Sequence, residues 1–341
     1  MITLFYRDGR PITTIHTETE RSFVLNSEGK CTFKFALTDP KARAIIFNTG
    51  NLITISHPTL PLWGGVIDGD QDWEEDGTLS LTAWSGEHLL SFRRSPTNQV
   101  LKAASAGRAL WKIVTLANKP EDLLIRWGTI WDGGTEREDT LDGKDLYTHA
   151  KSIAKNAGVD WSIDPEIDYA SHLYFTLNVW PQRGEARELT LHEHKNVERR
   201  GKVLRVRYGQ VVNDLLGLGD GSTDDRPEYQ APIDEASRGQ IGLRQGTEDF
   251  DGNSGVGTLQ ANTQASIKVR AQPERIIQLT ALDVGDTFAE LRLGNILPFR
   301  AQTFGFLNDG QIGMDTFVRL IGLRVEDKTN TVELTCKEYI A

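Results

Sequence analysis

The sequence predicts a mainly β, α+β chain in which strand-rich stretches at both ends flank an inserted mixed α/β unit. Three observations carry this. Apolar residues alternate with period two in the first hundred residues and again near the end. A middle stretch switches to three- and four-residue steps. Finally, a hairpin pattern close to the start is echoed close to the end.

In the N-terminal part, Cys31, Phe33, Phe35 and Leu37 alternate with polar residues and would share one sheet face. The same period returns in Thr78-Leu79-Ser80-Leu81-Thr82-Ala83-Trp84. Between them lie Leu52-Ile53-Thr54-Ile55 and Leu62-Trp63-Gly64-Gly65-Val66-Ile67, separated by His57-Pro58-Thr59-Leu60-Pro61. Short strands punctuated by Gly, Pro and Asp suggest a small barrel or a sandwich. From Leu101 to Ala117, Ala106, Leu110, Ile113 and Ala117 recur at helical spacing. A second helix is capped by Asp142, lined by Leu146, Ala150, Ile153 and Ala157, and stopped by Gly158. Glycines and charges fill Trp131 to Gly143 between the helices, and a strand follows with Leu173, Phe175, Leu177 and Val179 inward.

Strands resume at Val203-Leu204-Arg205-Val206-Arg207-Tyr208. Residues 217–257, rich in Gly, Asp, Glu, Ser and Gln, show no periodicity and read as a long loop ordered by a partner on assembly. A short helix is expected over Leu259 to Val269, then strands at Ile276-Ile277-Gln278-Leu279 and Thr331 to Cys336. Gly65-Val66-Ile67, an acidic turn and Thr78 to Ala83 match Gly322-Leu323-Arg324-Val325, a turn with Glu326 and Asp327, and Thr331 to Cys336. Two readings fit: any two hairpins look this alike, or one β-module occurs twice.

Composition narrows the function classes. At roughly 100–200 residues per domain, 341 residues make two or three structural units. Hydrophobic residues at 38%, with 32 glycines, are enough to bury real cores. With 38 Lys and Arg against 48 Asp and Glu, the chain is not built to grip nucleic acid phosphates. Cys31 and Cys336 cannot form a disulfide framework, and on apolar strand faces they read as buried, inert thiols. No run of 18 apolar residues is present, so no membrane span is expected. Arg7 and Asp8 arrive too early for a signal peptide, and folding in the cytosol is expected.

Candidate chemistry is sparse. His192 and His194 sit at i and i+2 around Glu193, without the spacing of a zinc site, and read as a solvent-facing polar strand. Asp68, Asp70 and Asp72 have calcium-loop spacing, but Trp73 and Leu79 replace the required Gly and Glu. Asp249, Asp251 and Asn253 fail likewise at Ser254 and Gln260, and the Asp220 run fails at Asp225 and Ala231. No nucleophile elbow, Walker loop or dinucleotide fingerprint is present. Asp164, Glu166 and Asp168 are candidates for an acid pair, but sequence does not fix carboxylate separation. No catalytic, cofactor-binding or metal residue is assigned, and the chain reads as a non-enzyme without cofactor.

The run Gly50-Asn51-Leu52-Ile53-Thr54-Ile55 to Leu62-Trp63-Gly64-Gly65-Val66-Ile67 carries a resemblance. It continues through Trp73, Gly77 to Ala83, Ser85-Gly86-Glu87-His88-Leu89-Leu90 and Arg93-Arg94. This stretch resembles tail proteins of long-tailed bacteriophages (siphophages) and, more broadly, baseplate-hub or tail-tip hub proteins of phage tails and related injection machines. Val318 to Gly322 through Val332 to Thr335 is similar to the closing barrel of that group. The resemblance implies two similar small, tail-tube-like β-barrels with an inserted α/β domain. The expected division is 1–97, 98–184 and 185–341, with the long loop at 217–257. It further implies a ring-shaped homotrimer, whose head-to-tail contacts use the exposed edges of incomplete barrels. Six near-equivalent units would then dock on a six-fold tail tube. Expected partners are the distal tail or tail-tube protein, the tape-measure protein and a tip fibre or spike. An acidic bore would let tape-measure protein and DNA pass. The place is the virion tail tip, after assembly in the host cytoplasm. Many hubs continue into peptidase, lysozyme or receptor-binding extensions, whereas this chain ends at Ala341, so those activities are expected in partner proteins. Two other readings stand beside this one. A carbohydrate-binding adhesin would stack sugars on Trp63, Trp73, Trp84, Trp127 and Trp131, and a cell-wall-degrading tail enzyme would need converging carboxylates.

Overall fold

The computed structural model describes residues 1–41, 48–221, 226–250, 255–306, 312–329 and 331–339. The first strands are β1 (Ile2–Phe5), β2 (Pro11–Ile15), β3 (Thr19–Val24), β4 (Lys30–Ala36), β5 (Leu52–Ile55), β6 (Trp63–Trp73) and β7 (Thr78–Ser85). A short 3-10 helix at Gly86–Phe92 leads into a first insertion. This comprises β8 (Thr97–Ala103), α1 (Ala106–Asn118), β9 (Ile125–Ile130), β10 (Arg137–Asp142), α2 (Leu146–Ala157), β11 (Asp160–Ile167) and β12 (Leu173–Trp180). Next come β13 (Leu191–His192) and β14 (Val203–Arg207). A second insertion holds β15 (Asp214–Leu218), β16 (Glu228–Gln230), α3 (Glu235–Ile241), β17 (Gln245–Asp249) and α4 (Val256–Arg270). The chain finishes with β18 (Glu274–Leu282), α5 (Thr287–Glu290), β19 (Ile296–Phe306), β20 (Ile312–Glu326) and β21 (Thr331–Tyr339).

The chain is mainly β, as expected, and its largest sheet runs β14-β18-β21-β20-β3-β4-β7-β6-β5-β1-β2, with β19 and β13 branching from β20. Inside that sheet one arrangement occurs twice. The spatial order β3-β4-β7-β6-β5 is matched by β14-β18-β21-β20-β19, each set taken in the same chain order and antiparallel throughout. Even the irregularities coincide. The ladder between β6 and β7 slips just beyond Ile67↔Ala83, and that between β20 and β21 just beyond Leu320↔Cys336. A bulge increases twist and bends a strand, so both long strands curve at the same place. The hairpin echo in the sequence is therefore one module used twice.

Neither module closes into a barrel among the described residues, because β2 and β14 each pair on one side only. The reason lies in β20. Its first half pairs with β19, and its second half, Gly322–Glu326, pairs antiparallel with β3 of the other module. The modules share an edge instead of sealing separately. Cys31, Phe33 and Phe35 of β4 with Leu79, Leu81 and Ala83 of β7 fill the first core. Ile277, Leu279 and Ala281 of β18 with Val332, Leu334 and Cys336 of β21 fill the second. Both cysteines are free and fully buried, and burial pushes both thiols well above their ordinary range. Phe23 on β3 packs against both cores and ties them together.

The first insertion packs on the outer side of the first module. Phe5, Leu52 and Val66 join the apolar cluster of α1, α2, β9, β11 and β12. Three local expectations are corrected here. Residues 101–103, the start of the expected helix, belong to β8, and α1 begins only after Ser105, whose side chain accepts from the Arg108 amide. The cap of α2 is Asp145, not Asp142, which ends β10; Gly158 does stop the helix, in the left-handed conformation. Trp131 to Gly143, expected as a stretch of glycines and charges, holds the strand β10.

The expected loop at 217–257 is also corrected: its described residues include β16, α3 and β17. β15 pairs parallel with β17 and antiparallel with β16, and α4 covers them through Val212, Leu215, Ala231 and Ile267. Buried Asn213 replaces the missing apolar periodicity: its amide donates to Gly242 O and Ser237 Oγ, and its carbonyl accepts from the Arg244 amide. The expected helix over Leu259 to Val269 falls within α4.

The Trp63-Gly64-Gly65 run has a steric origin. A Cβ on Gly64 would stand 2.4 Å from Pro165 Cβ, and one on Gly65 would stand 1.9 Å from the Trp84 carbonyl oxygen. Gly65→Ala is predicted to lower stability by about 2 kcal/mol or more in denaturant unfolding, because the clash is with backbone. Gly239→Ala, in exposed α3 where a Cβ meets nothing within 4 Å, is predicted to raise it by about 0.5 kcal/mol.

Candidate assembly surface

The feature that organises the sheet is the seam where the modules meet, together with β2 and β14, which pair on one side only among the described residues. At the seam, Gly322↔Val24, Leu323↔Phe23, Arg324↔Ser22, Val325↔Arg21 and Glu326↔Glu20 lie opposite each other. The Arg21 side chain is buried. Its Nη1 donates to Asp327 Oδ1 at 2.6 Å and to Thr19 Oγ1 at 2.7 Å, while the Thr19 amide and hydroxyl both donate to Asp327 Oδ2. Arg21 Nε and Nη2 have no partner among the described residues, so Asp327 carries the charge compensation there. On the outer face Arg324 pairs with Glu20 at 2.7 Å, and Lys328 with Glu18 at 3.0 Å. Those pairs are exposed and contribute little beyond register.

A second junction joins the first module to its insertion. Glu87 is buried, accepts from Ser85 Oγ at 2.5 Å and from the Ile163 amide at 3.0 Å, and borders a cavity of about 100 Å³ with Trp63, Gly64 and Pro165. Burial pushes this carboxyl up to about 7 despite those bonds. The Gly29 amide donates to Ser85 Oγ, so one hydroxyl links the residue before β4, the 3-10 helix and, through Glu87, β11. The first and second insertions meet at β10 and α4: Arg137 is held by Asp139 and Asn262, and Thr258 Oγ1 accepts from the Glu138 amide.

The residues singled out for chemistry are spread over the molecule. Glu193, expected on a solvent-facing strand, is buried instead; it accepts from the Gln302 and Thr303 amides and pairs with Lys202 at 2.8 Å. Burial raises its carboxyl, but Lys202 and the Thr303 donors outweigh that and hold it at about 2. His192 and His194 flank this structural ion pair with ring centroids 6.3 Å apart. Among the described residues no group of three His, Cys, Asp or Glu is placed to hold a metal ion. Asp164 accepts from Ser162 and Asn178, and Glu166 from Tyr174 and Thr176, so both carboxylates are engaged with their own sheet. Asp168 accepts from the amides of Ala170 and His172 in the turn after β11. Asp249 ends β17 and pairs with Arg226, whereas Ser222 to Asp225 and Asp251 to Ser254 lie outside the described residues.

The five tryptophans form no common platform. Trp63 is buried and donates to the Ser22 carbonyl, and Trp84 stacks on His88. Trp127 sits edge-on to Trp111 beneath Arg108, and the Trp131 ring lies beside Gly133. Trp73, at the end of β6, is 63% exposed. The signal that sequence reading missed is the edge chemistry. Asp70 and Asp72 line the outer half of β6, and Arg205 and Arg207 line the edge strand β14. Asp70, Asp72 and Arg205 make no hydrogen bond or ion pair with the described residues, while Arg207 reaches Glu274. The alternation of arginine with apolar residues in β14 was visible, but without topology nothing marked that strand as an edge.

No protein-family model matches this sequence, and no curated protein does so significantly. Similarity appears in three dimensions. Prophage tail protein gp18 from Listeria monocytogenes EGD-e aligns over 98% of this chain and 94% of its own, with TM-score 0.62 and 12% identity. The 43 kDa tail protein of prophage MuSo2 from Shewanella oneidensis aligns over 98% and 97%, with TM-score 0.59 and 13% identity. A tail protein from Neisseria meningitidis MC58 aligns over 99% and 96%, with TM-score 0.59 and 13% identity. The chain shares their fold across nearly its whole length.

Two carboxylates, the buried Glu87 and the partly exposed Asp327, set opposite pH dependences. For Asp327, burial pushes the carboxyl up, but Arg21 and Thr19 outweigh it and hold it below its ordinary value of 3.8. Its stabilisation is present above that value and lost as pH falls through the folded-state value. Glu87 binds its proton more tightly folded than unfolded, so stability declines as pH rises from about 4.5 to about 7. Glu87→Gln is predicted to remove that decline in thermal unfolding followed across this range. Asp327→Asn is predicted to cost about 3 kcal/mol at neutral pH, since it strands the buried Arg21 charge. A loss below about 1 kcal/mol would show that the clasp is incidental.

Proposed function

We propose that this protein is a structural, non-enzymatic component of a phage tail: a ring-forming hub that joins the tail tube to the tip structure. The observation that carries the reading is the double use of one β-module, fused through an antiparallel seam into a single sheet. A chain with two near-equivalent modules presents twice as many like units as it has copies. Three copies would give six units, which matches a six-fold tube through a three-fold ring. The full-length likeness to three tail proteins supports the fold on which this rests. The division into a first module, an inserted mixed unit and a second module belongs to the same proposal. So do the neighbours: tail-tube or distal tail protein above, tip fibre or spike below, with tape-measure protein and DNA passing through the bore.

The geometry gives each part a mechanical task. The modules supply the ring, and the seam clasp of Arg21 and Asp327 keeps them from hinging. The first insertion, packed on its module through a shared core, and the second, with a small core of its own, present surfaces for neighbouring proteins. With 48 acidic against 38 basic residues, an acidic lumen would repel phosphate and let DNA slide. The scatter of the tryptophans and the engagement of Asp164 and Glu166 count against the adhesin and cell-wall-enzyme readings.

Mass measurement by light scattering combined with particle imaging tests this reading. Three chain masses and a perforated three-fold particle are expected, either alone or after mixing with the tail-tube protein. A species that stays single under both conditions, or absence of the protein from purified virions, would overturn it.

A further inference from the structure

The joint between the first module and the first insertion is built from side-chain acceptors rather than from a strand ladder. β11 pairs with β12 along one side. Along its other side the Trp161 amide donates to Asn26 Oδ1 at 2.9 Å, and the Ile163 amide to Glu87 Oε1 at 3.0 Å. The next residue of that parity, Pro165, has no amide to satisfy. Asn26 also donates to Asp160 Oδ1, so both ends of its side chain are engaged with β11. Glu87 lacks that balance. It is buried, accepts from Ser85 and Ile163, and forms no ion pair among the described residues. Beside it lies the cavity of about 100 Å³, which reaches Leu323 of β20 and Arg292 of the second module. We propose that this joint is a proton-operated latch: neutral Glu87 keeps the edge of β11 closed on the first module, and ionised Glu87 lets that edge open to water.

The two charge states ask for different surroundings. A neutral carboxyl accepts through one oxygen and donates through the other. The Ile163 amide meets the first need, and Ser85 Oγ meets the second while its own hydrogen turns to the cavity. A carboxylate only accepts, and it is costly to bury without a cation or further donors. Burial accordingly pushes Glu87 from 4.5 up to about 7. Water supplies the missing donors once the edge opens. Roughly 10–15 Å³ suffices for one water molecule, so a cavity of about 100 Å³, lined also by the hydroxyls of Ser22, Ser27 and Ser162, has room for several.

The charged groups around Glu87 are committed elsewhere. On β11, Asp164 is a like charge that opposes ionisation and is itself held by Ser162, Asn178 and Arg183, while Asp160 pairs with Arg319. On the same 3-10 helix, His88 is held by Glu28 before β4 and by Asp68 of β6. On α2, the Tyr147 hydroxyl bonds to Ser27 and to the Glu28 amide, and His149 bonds to Ser95 and Asp142. β7 carries no titratable residue from Thr78 to Ser85. Arg292 donates to the carbonyls of Thr59, Phe288 and Leu291. Opening stays local, because Phe5, Leu52 and Val66 still hold the insertion through its apolar cluster. Glu87 keeps its proton more tightly with the edge closed than open. Opening therefore grows by about tenfold per pH unit between 4.5 and about 7 and levels off above.

The test follows amide exchange of Ile163 in the full chain, in rising urea below the unfolding transition, at about pH 5 and about pH 7.5, corrected for the intrinsic pH dependence of exchange. Ile163 is expected to exchange through an opening with little urea dependence, well below that of the ladder between β18 and β21. Its protection is expected to fall by about tenfold or more between the two pH values. Glu87→Gln, which keeps an acceptor for the Ile163 amide and carries no charge at either pH, is expected to abolish the fall. A urea dependence at Ile163 equal to that of the ladder, protection that is flat with pH, or a fall that persists in Glu87→Gln overturns the latch. Should Glu87→Gln not fold, the urea and pH dependences of the unsubstituted chain decide.

Discussion

The structure depends on one set of hydrogen bonds, those between the second half of β20 and β3. Without them the chain would be two separate β-modules with insertions. With them it is one curved sheet whose modules have a fixed orientation. The constraint explains why neither module closes: a strand that gives half its length to a neighbour cannot seal its own barrel. It also explains why a fully buried arginine is tolerated there. Arg21 sits on the inner face of the seam, where burying a charge is costly unless a partner is fixed, and the turn after β20 supplies Asp327 from the other module. Each module thereby stabilises a residue of the other.

The second constraint is close backbone approach. Gly64 and Gly65 let β11 and β7 come within distances that any side chain would block, and Gly86 lies against Ile163 and Phe175. Glu87 then spans the same crowded place through Ser85 and Ile163. The first insertion is therefore not tethered by a loose linker; its apolar cluster continues into Phe5, Leu52 and Val66 of the module. Such a mounting transmits force rather than absorbing it.

Much of this was legible in the sequence, and the misses have physical causes. The alternation of Cys31, Phe33 and Phe35 and of Leu79, Leu81 and Ala83 marked strands because one face of each is buried. The likeness of the two hairpins was visible too, but it became decisive only when both bulges fell at equivalent positions. β11 was missed because Asp164 and Pro165 look like a turn, although the strand runs through both. The strands and helix described within 217–257 were missed because strands such as Gln245–Asp249 carry mostly polar side chains, and a buried asparagine network replaces apolar packing. Asp142 was read as a cap because it stands three residues before the true one, Asp145. The charges of the edge strand β14 were present all along in Arg205 and Arg207. Which strands are edges is a property of the sheet order, and no local pattern encodes that order.

The central claim is that the second half of β20 is completed by β3, which fixes two like modules in one sheet. Amide hydrogen exchange tests it most directly. Gly322–Glu326 and the β3 residues opposite them should be protected, and Asp327→Asn should speed exchange in both segments together while the ladder between β18 and β21 keeps its protection. Fast exchange across the seam in the unsubstituted chain would contradict the account.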